Sequence, residues 1–217
     1  MQILFRDESI LAVDKPSGLI VHRGMANDDD SVADRVRDLI GHRVHAVHRL
    51  DRGTSGVLLF ALNPDAARAM QEQLSERRVE KTYWALTRGI PKPASGLIDH
   101  AIPKAEGKER VPAVSAYRLL GVCLNRYAWV EVHPHTGRFH QVRRHMRHLS
   151  CPLIGDANYG SSEHNRLWRD RYGLGRLALH AASMSFEHPV TKAKLIVSAP
   201  LAADIEQALT LAGLTLV

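Results

Sequence analysis

Two cysteines, Cys123 and Cys151, are all that the 217 residues contain. That excludes a disulfide framework and a CxxC metal knuckle, and two free thiols in partly buried positions are expected. Long apolar runs are missing too, since no stretch approaches the ~18 residues that a membrane helix needs. The opening Met1-Gln2-Ile3-Leu4-Phe5-Arg6-Asp7 has neither the basic start nor the long apolar centre of a secretion signal, so a cytoplasmic protein without a membrane partner is expected. Internal repeats and dividing linkers are absent, which predicts one domain over residues 1–217. Acid is missing where base is densest: His133 to His148 holds four arginines, five histidines and no Asp or Glu.

What remains is ordinary in one respect and biased in another. A hydrophobic content of 45% suffices for a sizeable core. The formal charge is +6 with 13 histidines besides, and a basic surface attracts polyanions, so nucleic acid is the first partner to consider.

The pattern of apolar residues and breakers predicts short strands at Gln2–Phe5, Ile10–Val13 and Leu19–Val21, broken by Arg6-Asp7-Glu8-Ser9 and Lys15-Pro16-Ser17-Gly18. A polar loop over residues 23–30 includes Asp28 to Asp30, acids suited to the start of the helix that follows. That helix begins at Ser31, turns Val32, Val36, Leu39 and Ile40 to one side and stops at Gly41. His42 to Val47 alternates like a strand, and Asn63-Pro64 opens a helix running to about Arg77 with Ala66, Met70 and Leu74 inward. Strands are expected at Val79–Thr87, Leu97–His100, Val114–Leu120 and Tyr127–His133, and a closing helix at Asp204–Leu211. If Thr136 caps a helix, Phe139, Val142, Met146 and Leu149 form its buried stripe. Arg144, Arg147 and His148 then face solvent, with Arg143 at the edge of the stripe.

One stretch stands out from this frame. His48-Arg49-Leu50-Asp51-Arg52 sets a single carboxylate between two arginines. A Gly53-Thr54-Ser55-Gly56 turn follows, and then the apolar run Val57 to Leu62, which reads as a buried strand. Asp51 could be a nucleophile, a base or a ligand, or it could cap its own turn on the N–H groups of Gly53 or Thr54. Lys15 fits a phosphate contact or a solvated turn residue. Tyr83 shares a strand face with Lys81, where a core position is the ordinary expectation. The histidines of the 133–148 run have no carboxylate among them and arginines beside them, which disfavours a metal.

The run His48-Arg49-Leu50-Asp51, Thr54-Ser55-Gly56, Leu58-Leu59 and Ala61 resembles the catalytic motif of the RluA family of RNA pseudouridine synthases. Lys15-Pro16-Ser17-Gly18 is similar to its first motif, and Lys81-x-Tyr83 to its second. Thr136-Gly137-Arg138-x-His140-Gln141-Val142-Arg143-x-His145 is similar to its third, continued by Pro152 to Asp156. Leu177 to Ala181 and Phe186 to Thr191 resemble the closing one. The likeness runs from residue 2 to about 200 with the motifs in family order. It implies an α+β fold: a mixed, largely antiparallel central sheet flanked by helices, in a single domain with a central catalytic cleft. Nothing in the chain resembles the small RNA-binding domain that some relatives carry ahead of the catalytic one.

The resemblance also implies a reaction and its residues. The N1–C1′ bond of a uridine breaks, the base turns and C5 bonds to C1′, with no cofactor or metal. Asp51 is implied at the ribose, attacking C1′ or removing a 2′ proton, with Arg143 as its partner and Tyr83 stacked on the uracil. Arg49 is implied in the gap left by the flipped base. Arg52, Arg138, Arg144, Arg147, His48, His140 and Lys15 are implied as RNA contacts.

Within the family, Val21-His22-Arg23, the doubled Arg143-Arg144 and the segment Asn165 to Leu177 are similar to the tRNA pseudouridine synthase C group. That likeness implies a uridine at position 65 of the tRNA T-stem; a monomer without an obligate protein partner is expected. Gly53, Cys151, Tyr159 and a shorter loop at residues 100–112 depart from the group's pattern. An rRNA-directed or dual tRNA and rRNA enzyme of the same family is the alternative. From another class, a non-catalytic basic RNA-binding protein would keep the arginines but would not need Asp51, Tyr83 and Arg143 together. A hydrolase built on Asp51 should show a second acid or a metal cluster near the motif, and the sequence there has neither.

Overall fold

Asn63 accepts the N–H of Ala66 through its side chain (2.8 Å) and Pro64 occupies the first turn of a helix, as the sequence predicts. The same local logic sets most elements of the computed structural model, which describes residues 1–23, 30–104 and 109–217. In chain order these are β1 (Ile3–Arg6), β2 (Ile10–Lys15), α1 (Val32–Ile40), β3 (His45–Ala46), β4 (Ser55–Ala61), α2 (Pro64–Ser75), β5 (Glu80–Arg88) and β6 (Ser95–Asp99). Then follow β7 (Ile102–Pro103), β8 (Arg110–Val111), β9 (Val114–Cys123), β10 (Tyr127–Pro134), α3 (Gln141–His148) and α4 (Ser162–Tyr172). The last are β11 (Leu179–Glu187), β12 (Lys194–Ser198), α5 (Ala203–Leu211) and β13 (Thr215–Leu216). The fold is α+β with largely antiparallel strands, as expected. Most of the polar loop at 23–30, Asp28 and Asp29 included, and the centre of the basic stretch at 104–110 lie outside the described residues.

The chain forms two compact units, the first made of residues 1–80 and 181–200. There β2 runs antiparallel to both β1 and β4, in a register that sets Ile10 opposite Ala61 and Lys15 opposite Gly56. All seven residues of β4 are buried, so the apolar run after the Asp51 motif is a central strand. Ile10, Ala12, Val57, Leu59, Met70, Met184 and Phe186 are among the residues of its core. Asp7 closes the β1–β2 turn by accepting the N–H groups of Ser9 (2.7 Å) and Ile10 (2.8 Å), and His188 Nε2 binds its other oxygen at 2.7 Å.

Several local expectations fail in this unit for identifiable reasons. Residues 19–21 form no strand; Ile20 makes a single bridge to Ser31. The strand expected over 42–47 shrinks to His45–Ala46. Leu39, expected inward on α1, is 55% exposed, whereas Val32 and Val36 of that face are buried and Ile40 is half-buried. α2 stops at Ser75, where Arg77 turns into the left-handed region (φ 60°).

Gln73 on α2 is buried, and its amide clamps the backbone of Glu187, Nε2 donating to the carbonyl (2.8 Å) and Oε1 accepting the N–H (3.0 Å). Gln73→Ala leaves both main-chain groups without that partner, and a loss of ~1–3 kcal/mol is expected in denaturant unfolding.

The second unit comprises residues 81–180 and 201–217. β5, β10 and β9 lie side by side as antiparallel neighbours, with β6 and β13 also paired to β9. Leu124 and Asn125, both at positive φ, make the tight turn between β9 and β10. Tyr127, Trp129, Trp168 and Leu174 pack with Ile205, Ala208 and Leu209 of α5 in one core cluster. Val130, Val132, Val142, Met146 and Leu179 belong to another. Both cysteines are buried and free, and burial pushes the Cys123 thiol up to about 11.

The start of α3 departs from expectation. Thr136 does not cap it; its hydroxyl donates to Gln141 Oε1 (2.6 Å), and Gln141 Nε2 donates to Val114 O (2.9 Å) and Ser115 Oγ (3.0 Å). The helix begins only at Gln141, after His140 in the left-handed conformation (φ 55°). Phe139 therefore precedes the helix and is 43% exposed, while Val142 and Met146 are buried as predicted.

Candidate active site

The Asp51 loop in the first unit is held by its own carbonyls. Thr54 N–H donates to Asp51 O (3.0 Å), Gly18 N–H to Arg52 O (2.8 Å) and Ser17 Oγ to Gly53 O (2.8 Å). Lys15 is fully buried, and its ammonium donates to Pro16 O (2.9 Å), Arg52 O (3.1 Å) and Thr54 O (2.8 Å). Each main-chain oxygen from Asp51 to Thr54 thus has a donor, and the Lys-Pro-Ser-Gly turn supplies most of them. Lys15 offers no surface to a phosphate and is not solvated either. It fastens the loop, which corrects both readings of this residue. Lys15→Met should cost roughly 2–4 kcal/mol in thermal or denaturant unfolding, because it strands buried carbonyls, and turnover should fall with it.

Leu50 is buried between Arg49 and Asp51 and serves as the apolar anchor of the motif. Arg49 and Arg52 are exposed on either side, and Asp51 is partly exposed. His48 Nε2 accepts the N–H of Leu59 (3.1 Å), tying the motif to its own strand. Gly56 follows at φ +104°, where a Cβ would stand 2.2 Å from Ala181 O. Only glycine permits that close approach.

In the second unit, Lys81 and Tyr83 lie on β5, and Tyr83 is partly buried opposite Val132 of β10. The Lys81 ammonium lies beside Gly137, and burial holds it below the usual lysine range. Arg143 on α3 is buried and makes a two-pronged ion pair with Asp156, Nε to Oδ2 and Nη2 to Oδ1, both 2.7 Å. Asp156 also accepts the N–H groups of Asn158 and Tyr159, each at 3.0 Å. Burial raises the affinity of this carboxyl for a proton, but Arg143 and the two amides outweigh it and hold Asp156 below the ordinary carboxylate range.

Asp156 is the site residue that sequence reasoning missed. Its signal was the Gly155-Asp156 pair closing the third motif, with Gly155 at φ +74° against Arg176 O. The Arg143 guanidinium also stands 5.0 Å from the centroid of the Tyr159 ring.

The basic run resolves unevenly. Arg147 and His148 are exposed, as expected. Arg144 is partly buried, bonded through Nε to Tyr159 Oη (2.8 Å) and through Nη1 to Pro103 O (2.6 Å), so the expectation of a solvated Arg144 is corrected. Arg138 is exposed, with Nε 3.3 Å from Pro112 O. His140 Nδ1 meets Tyr159 Oη at 3.1 Å. His145 is fully buried between Ser115 Oγ (2.9 Å) and His100 O (3.1 Å), a hydrogen-bonded core histidine.

A family model described as RNA pseudouridylate synthase matches residues 9–148. A protein named tRNA pseudouridine synthase C from Vibrio parahaemolyticus is 37% identical over 93% of this chain and 90% of its own. One of the same name from Haemophilus ducreyi is 39% identical over 93% and 91%. Among solved structures, human RNA Pseudouridylate Synthase Domain Containing 4 superposes with a TM-score of 0.80 at 29% identity, over 98% of this chain and 93% of the other. No helix among the described residues is long and apolar enough to cross a membrane. Motifs, fold and relatives agree: the chain belongs to the RluA family of RNA pseudouridine synthases and is an isomerase acting on RNA.

Proposed function

We propose that the substrate is tRNA and that the uridine at position 65 of the T-stem is the residue modified. The observation that carries this is the likeness to proteins named tRNA pseudouridine synthase C, which extends over nine-tenths of both chains. In this reading the whole chain is one catalytic domain, working as a monomer in the cytoplasm. Asp51 is the carboxylate at the ribose, Arg143 its cationic partner and Tyr83 the ring on the uracil. Arg49 fills the stack when the base leaves it, an extrusion that costs a few kcal/mol. Arg52, Arg138, Arg144 and Arg147 supply positive charge to the phosphates, and His48 and His140 line the RNA path. The rigid hold on the Asp51 loop supports the first role, since a carboxylate aimed by four bonded carbonyls loses little entropy on reaching its target.

The test is to incubate the purified protein with a full set of tRNA transcripts and with rRNA fragments, and to map pseudouridine in each. Conversion confined to the T-stem uridine is expected. Conversion only in rRNA would overturn the choice of substrate.

A further inference from the structure

The second unit carries a cleft of about 550 Å3, inside the ~300–1,000 Å3 range of small-ligand sites. Neither Tyr83 nor Arg143 lines it, although it adjoins Arg143 through Asn158 and Tyr159, which do. Two stacks of planar rings do line it. Phe139 lies on His140 with centroids 3.7 Å apart and planes 23° from parallel, and His100 lies on His148 at 3.6 Å and 15°. Those separations are close to those of stacked bases. No acid lines the cleft among the described residues, whereas Arg110, Arg144 and Arg147 do. Arg144 is held by neutral acceptors, the Tyr159 hydroxyl and the Pro103 carbonyl, so its charge is not cancelled by a carboxylate. Phe139 occupies a position whose apolar spacing favours the core, yet it stands exposed in this basic hollow, just before the left-handed His140 that precedes the helix.

From this geometry we infer that the cleft is a second nucleotide site: it takes an unpaired nucleotide of the substrate RNA, other than the target uridine, with the base on the Phe139–His140 stack and the phosphate toward Arg147. The inference rests on the RNA-modifying activity and deepens it. A paired backbone needs only surface cations, whereas a concave site with ready-made ring stacks suits a splayed base, because every base has a face to stack. Tyr159 links the two sites, its ring against Arg143 and its hydroxyl in the grip of Arg144 and His140.

Equilibrium binding to a tRNA T-arm stem-loop tests it, using wild type, Phe139→Ala and Phe139→Trp and a set of RNAs each lacking one base. Phe139 is half in solvent, so the variants should melt with the wild type. F139A should weaken binding about ten-fold, the typical effect of one lost base–aromatic stack, and F139W should restore it. Removal of one unpaired base should weaken wild type by a similar factor and leave F139A unaffected. The inference falls if F139A binds as wild type does, or if the two losses multiply at every position. Mapping of pseudouridine in the intact RNA is read separately. An unmodified T-stem with a non-additive position defeats the tRNA assignment and leaves the cleft standing, while normal modification without such a position defeats the cleft alone.

Discussion

Replacement of Asp51 by Asn is expected to lower pseudouridine formation about a thousand-fold or more, while RNA binds as tightly as before or slightly more so. A thousand-fold corresponds to ~4 kcal/mol of transition-state stabilisation. Asparagine keeps the shape of the side chain and removes only the charge. It can neither attack C1′ nor accept a 2′ proton, so both candidate roles fail together. The fold should not suffer, because the loop is held through the main-chain oxygens of Asp51 to Thr54 and by the buried Leu50, all of which asparagine leaves in place. Binding should hold because Arg49 and Arg52 remain, and removing a negative charge favours a polyanion. Turnover within ten-fold of wild type would remove Asp51 from the chemistry.

Arg143→Ala should cost both stability and turnover. Its loss leaves the Asp156 carboxylate buried at 1% exposure with only two amide N–H groups, and breaking such a pair costs ~3–5 kcal/mol. For a chain of this size the melting temperature should fall by roughly 10 °C. A second variant separates structure from chemistry: Arg143→Met with Asp156→Asn removes both charges, while the asparagine oxygen can still accept the two N–H groups. Stability should recover to within ~1–2 kcal/mol of wild type. Turnover should stay low, and normal turnover in the double variant would leave Arg143 as a packing residue.

The pair also sets an acid limit. Asp156 titrates below the ordinary value of 3.8 in the folded state, so its stabilisation is complete above that value and is lost as pH falls through the lower folded one. Acid unfolding of the double variant should lose that contribution.

Much of this was legible locally. Asn63-Pro64 announced α2, the apolar run announced β4, and the arginines around Asp51 announced a site. What the sequence hid was tertiary. Arg143 and Asp156 are thirteen residues apart across a turn, and no periodicity marks them. The start of α3 was misplaced because Thr136 bonds the Gln141 side chain instead of a helix N–H, and that shift put Phe139 outside the core. α4 went unpredicted because only His164 and Trp168 are fully buried, with Leu167 and Tyr172 half-buried on the same core, too few apolar residues to mark a stripe on an otherwise charged helix. Lys15 looked like a surface charge, and only the fold shows three carbonyls closing over it.

That enclosure has an electrostatic corollary. In a trans peptide the N–H points opposite to the C=O. With the carbonyls of Pro16 and Arg52 turned inward on one ammonium, the amide hydrogens of Ser17 and Gly53 point away from it, and the buried cation orders the peptide dipoles of both turns. A single buried lysine thereby turns two amide hydrogens outward beside the Asp51 loop, adding their partial positive charge to that of the exposed Arg49 and Arg52.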